Sequence, residues 1–150
     1  MFSRICSRLD AKRAIEIWDT SALVPLFVEE ATSRAMEDLF AIDEVVAVSV
    51  LTLVEATSAI GRRHRQSSDM TESRALLESL SSAWIEVELN ADVRRVAIDL
   101  LFRHPLKAAD ALQLATAIVA STSSPASLPF VTLDQTLAEA ARAEGFVVQP

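Results

Sequence analysis

The chain has 150 residues, about half of them apolar, a formal net charge of -7, one cysteine, two histidines and no tyrosine. That length suffices for one domain with a full core, while no apolar run reaches membrane-spanning length and nothing near Met1 reads as a secretory signal. A single cysteine, Cys6, excludes an internal disulfide, one cysteine with two histidines cannot build a zinc site, and the acidic balance argues against nonspecific adhesion to nucleic acid without excluding a local basic patch. The expectation is a soluble, cytoplasmic protein with no membrane contact.

Residues 1–14 read as an extension ahead of a domain spanning 15–150. Residues 15–19 make an apolar strand that delivers Asp19 to its carboxyl end, followed at once by the hydroxyls of Thr20 and Ser21. A helix begins over 21–29, and Thr32 can cap a second whose Ala35, Met36, Leu39 and Phe40 share one face. With Leu23 and Phe27, that face could line a groove for a partner helix or pack into the core. Residues 45–48 (VVAV) are a short buried strand, and Ser49 caps a helix over 50–65 that turns Val50, Leu53, Val54 and Ile60 to the core. Glu55 interrupts its apolar run.

Asp69 and Glu72 have capping-box spacing for a helix with a Leu76, Leu77 and Leu80 stripe. Residues 84–89 (WIEVEL) alternate as an edge strand does, and Asn90 caps a helix carrying Val93, Val96, Ala97, Leu100 and Leu101 until Pro105 stops it. An alanine-rich helix over 106–120, a Ser/Pro surface loop over 121–129, a strand at 130–133, a helix at 134–144 ended by Gly145 and a strand at 146–148 complete the chain. Strands alternating with helices imply crossover units and a parallel sheet covered on both faces.

In such sheets ligands bind outside the carboxyl ends of the strands. Asp19 and Asp134 fall where a strand gives way to a helix, and Asp110 in a first helical turn; each alone is also explained as a cap or as a charge complementing the helix dipole. Glu55 is harder to explain away, because an unpaired charge two turns into an apolar helix is costly unless it meets solvent or a cation. Together the four make an oxygen-only set suited to Mg²⁺ or Mn²⁺, and a cation would relieve the repulsion among them. A metal at such a set activates water and polarises a phosphodiester, so no nucleophilic Ser, Cys or His is needed.

The segments DTSAL at Asp19, SVLTLVEA around Glu55, LKAADALQLATA around Asp110 and FVTLDQTLAEAARAEGF around Asp134 resemble, in order and spacing, the successive motifs of the PIN-domain nucleases, most closely their VapC-type toxin branch. The resemblance covers roughly residues 15–148. It implies a three-layer α/β/α sandwich with a mainly parallel sheet, one or two Mg²⁺ or Mn²⁺ ions at Asp19, Glu55, Asp110 and Asp134, and cleavage of RNA. Thr20, Ser21 and Thr132 would support the acids through hydrogen bonds. A homodimer and a cognate antitoxin that silences the nuclease are the implied partners.

Arg62, Arg63, His64 and Arg65 form the densest basic run, directly beyond the Glu55 helix; they suit either phosphate binding or the C-terminal dipole. Arg103, His104 and Lys107 are a second basic candidate near Asp110. Trp18 and Trp84, in expected strands, read as core or interface rather than nucleic-acid contacts, and so few aromatics give little sign of a base-stacking platform. Two rival readings remain: a catalytically silent module that binds protein or RNA, and an aspartyl phosphotransfer enzyme, which usually carries a second aspartate where Ser21 stands.

Overall fold

Alternation of side chains along each strand divides the molecule into layers. The computed structural model describes residues 15–42, 45–66, 68–122 and 124–150; the expected extension over 1–14, with Cys6, lies outside them. Strands β1 (Ile15–Trp18), β2 (Val45–Ser49), β3 (Ile85–Val87), β4 (Phe130–Val131) and β5 (Val148–Gln149) form one sheet in the order β3-β2-β1-β4-β5. Every pairing is parallel. Ile17, Ala47 and Phe130 point to one face, whereas Trp18, Val46, Val48 and Val131 point to the other. Both faces of a parallel sheet must be covered, and this one is.

The second face carries α1 (Thr20–Leu23), a 3-10 turn (Val24–Leu26), α2 (Ser33–Phe40), α3 (Leu51–Arg65) and α4 (Thr71–Ser81). The first carries α5 (Ala91–Arg103), α6 (Ala108–Ala120) and α7 (Gln135–Ala143). The expected three-layer α/β/α sandwich is the observed architecture, with a sheet that is wholly parallel among the described residues. β3 is an edge strand, as its alternation implied. Trp84 lies just before it, buried with its ring 6.3 Å from that of Phe27. Trp18 is fully buried and meets Phe40 edge-on at 5.5 Å. Leu23, Phe27 and Met36 are core residues, so they line no open groove.

Several local expectations are corrected. The first helix is short because Pro25 has no N–H for the next helical bond, and the chain tightens into the 3-10 turn. Thr32 makes no cap bond; Ser33 Oγ instead accepts from the Glu30 N–H at 2.9 Å. Asp69 accepts from the N–H and hydroxyl of Thr71 at 3.0 and 2.8 Å, which starts α4 too late for a capping box with Glu72. Val50, Val54, Leu76 and Leu101 are exposed rather than core-facing. Asn90, by contrast, caps α5 through the Val93 N–H at 3.0 Å, and His104 adopts the extended backbone expected before Pro105. Among the described residues no helix is long and apolar enough to cross a membrane.

Candidate metal centre

The carboxyl edge of the sheet opens into a cleft of about 710 Å³ lined by Asp19, Glu55, Asp110 and Asp134, with Thr20, Ser21 and Arg62 among the other walls. Four elements supply the acids. β1 ends on Asp19, whose backbone N–H bonds to the Val131 carbonyl at 2.8 Å and so places it beside β4. Glu55 projects from α3, Asp110 from the first turn of α6, and Asp134 from the turn between β4 and α7.

Asp19 is 4% exposed. Its Oδ2 accepts from the Ser21 N–H at 3.0 Å, from the Ser21 hydroxyl and from the Thr132 hydroxyl at 3.1 Å. Ser21 Oγ also accepts from the Leu133 N–H at 2.9 Å, and Thr132 Oγ1 from the Asp134 N–H at 3.1 Å. The two hydroxyls thereby pin the Asp19 turn to the turn that carries Asp134. Burial pushes the Asp19 carboxyl up to about 6, the Glu55 charge adding to the rise and the Ser21 and Thr132 hydrogen bonds opposing it. Burial and then the Asp134 charge raise Asp110 above its ordinary value, against the pull of Lys107.

Glu55 is held from a direction the sequence reading missed. Gln113 Nε2 donates to Glu55 Oε1 and to Thr20 Oγ1, each at 2.8 Å, and Thr52 Oγ1 lies 3.4 Å from the Gln113 side-chain oxygen. Gln113 and Thr52 are both buried. One signal was available: Gln113 follows Asp110 by three residues and Thr52 precedes Glu55 by three, so each shares a helix face with an acid.

Asp134 also caps α7, its Oδ1 accepting from the Leu137 N–H at 2.8 Å. Asp19, Glu55 and Asp134 are thus each tied through one oxygen, while among the described residues no hydrogen bond reaches the other. No lysine, arginine or histidine among the described residues forms an ion pair with any of the four acids. The donors are all oxygen, they carry like charge, and among the described residues no cationic side chain forms an ion pair with them; that chemistry fits a hard divalent cation. Among the described residues no three such side chains converge as a finished cage. Mg²⁺ needs no such cage, since it is commonly held by one or two carboxylates plus water and substrate oxygens.

The basic candidates separate. Arg62, Arg63, His64 and Arg65 are exposed on the last turn of α3. Arg62 borders the acidic cleft and donates to Ser58 Oγ at 3.1 Å. Lys107 stands at the start of α6 beside Asp110. Arg103 and His104 are instead engaged by Glu144, His104 at 2.7 Å, which removes them as a free basic patch. Burial raises the Glu144 carboxyl, but the hydrogen bonds from His104 and Arg103 outweigh that and hold it below its ordinary value.

The sequence profile of the PIN domain matches residues 17–143. No curated protein matches the sequence. Among solved structures, a Mycobacterium tuberculosis toxin, VapC20, described as cleaving the sarcin-ricin loop, superposes with a TM-score of 0.67 at 22% identity over 91% of this chain and 100% of that one. A toxin-antitoxin complex from Klebsiella pneumoniae gives 0.62 at 23% identity, covering 90% and 96%. VapBC2 from Rickettsia felis, bound to a promoter DNA fragment, gives 0.64 at 15% identity, covering 90% and 97%. At these identities the structural likeness speaks for the fold.

Proposed function

The chain belongs to the PIN domain family, and from that premise we propose that it is a divalent-metal-dependent endoribonuclease acting as the toxin of a toxin-antitoxin pair. The observation that carries this reading is the cleft itself: four carboxylates from four elements, none paired with a cationic side chain among the described residues. PIN domains are typically nucleases and generally depend on metal. Mg²⁺ or Mn²⁺ held by Asp19, Glu55, Asp110 and Asp134 would supply activated water and charge stabilisation for hydrolysis of a phosphodiester.

The chain's own residues do the rest. Ser21 and Thr132 fix Asp19 and Thr20 braces the Glu55 side, so that the acids are in place before RNA arrives. Arg62, at the wall of the cleft, offers a bidentate contact to a phosphate next to the scissile one, with Arg63 and Arg65 extending the path and Lys107 flanking Asp110. Single-stranded or structured RNA is the proposed substrate class; the mycobacterial neighbour is described as cleaving the sarcin-ricin loop. A cognate antitoxin and a homodimer, acting in the cytoplasm, complete the proposal; the Klebsiella and Rickettsia neighbours are toxin-antitoxin assemblies.

The test is cleavage of a mixed panel of cellular RNAs by purified, antitoxin-free protein in Mg²⁺, in Mn²⁺ and in chelator, beside Asp110→Asn. Metal-dependent cleavage lost in the variant is the expected result. Folded protein that neither binds metal nor cuts RNA would overturn the reading in favour of a silent binding module.

A further inference from the structure

The geometry points to Gln113 as the positioning residue of the cleft: its amide, wedged between Thr20 and Glu55, holds one oxygen of the Glu55 carboxylate so that the other is presented to a divalent cation. This rests on the metal-dependent reading above.

Gln113 is 2% exposed on a helix whose neighbouring positions Ala111, Leu114 and Ala115 are fully buried and apolar. A primary amide in such a place costs stability unless its donors and acceptor are satisfied, and a leucine would serve the core more cheaply. Here both N–H groups are used at 2.8 Å, one on Thr20 Oγ1 and one on Glu55 Oε1. The Thr52 hydroxyl, 3.4 Å away, faces its carbonyl oxygen. One side chain of α6 therefore ties α1 to α3 beneath the cleft.

Glu55 needs that tie more than the other acids do. Asp19 and Asp134 are short and each accepts a backbone N–H. Glu55 has an additional rotatable bond, is only half-buried and has no backbone donor among the described residues. Its other hydrogen bond, from the Thr20 hydroxyl, spans 3.4 Å. Because Gln113 and Asp110 sit three apart on α6, fixing Glu55 to Gln113 also fixes it relative to Asp110.

The test measures Mn²⁺ affinity calorimetrically for the whole wild-type chain and for Gln113→Leu, which removes both donors at similar volume. The tether predicts that the folded variant binds Mn²⁺ roughly 10- to 100-fold more weakly, as loss of a group that orients a metal ligand does, whereas a change under about twofold overturns it. A purely structural role would lower the melting temperature without altering the affinity of the folded fraction. A second measurement needs no variant: in ¹⁵N spectra of wild-type protein, the Gln113 side-chain amide should exchange slowly with solvent and shift as Mg²⁺ is titrated. A fast-exchanging, unshifted amide overturns the inference. Wild-type protein that takes up neither ion overturns the metal-dependent reading together with this one, while metal binding equal in wild type and variant overturns the tether alone.

Discussion

Asp19 is the most buried of the four acids, and its carboxyl is pushed up to about 6 chiefly by that burial. In the unfolded chain an aspartate titrates near 3.9, so between these values the native state holds the proton more tightly. The associated stability is fully present below pH ~4 and is lost as the pH rises through about 6. A shift of about two units corresponds to about 3 kcal/mol. We expect urea unfolding in chelator to show wild type losing about that much relative to Asp19→Asn between about pH 4 and pH 7. Parallel pH profiles for the two proteins would contradict this account.

At the scale of elements, Gly145 illustrates what a sequence can fix. It sits at φ +97° after α7, where the Phe146 N–H returns to the Ala141 carbonyl at 3.0 Å and closes the helix end. Gly145→Ala forces a side chain into that conformation and should cost about 1–2 kcal/mol in denaturant unfolding, with the fold retained. That stop was legible beforehand, as were the five strands and the Asn90 cap, because each depends on local chemistry. The width of each helix's buried stripe was not. Val54 lies about 120° round the helix from Ile60 and Leu76 about 100° from Leu77, so each falls off the line of the buried residue, and apolar character alone does not bring a side chain that far round into the stripe. The site divides in the same way. Asp19, Asp110 and Asp134 could be singled out from their places at element ends and Glu55 from its interruption of an apolar helix, and all four line one cleft. Gln113 could not be read as the partner of Glu55, because the pair is 58 residues apart and sits on helices that cover opposite faces of the sheet, meeting only at its carboxyl edge.

For the whole molecule, like charges gathered in one cleft on a chain of net charge -7 make the metal-free fold weaker than its core alone would give. A ligand that binds only the native state adds stability in proportion to the logarithm of one plus the ratio of free ligand concentration to Kd, about 2.7 kcal/mol at 100 times Kd. Saturating Mn²⁺ should therefore raise the melting temperature of wild-type protein, and the rise should be greatly reduced in Asp110→Asn. An equal rise in both would place the ion elsewhere.

The strand order has a further consequence. β1, near the start of the described chain, stands at the centre of the sheet, and its flank on one side is supplied by β4 and β5, the last strands made. Until that late segment docks, Asp19 has neither the Thr132 hydroxyl that steadies it nor Asp134 across the cleft. A chain that has not yet reached β4 holds only three of the four acids, and Asp19 lacks that support. On the proposed reading, a molecule in which β4 and β5 have not docked lacks part of the acid set and should not cut RNA.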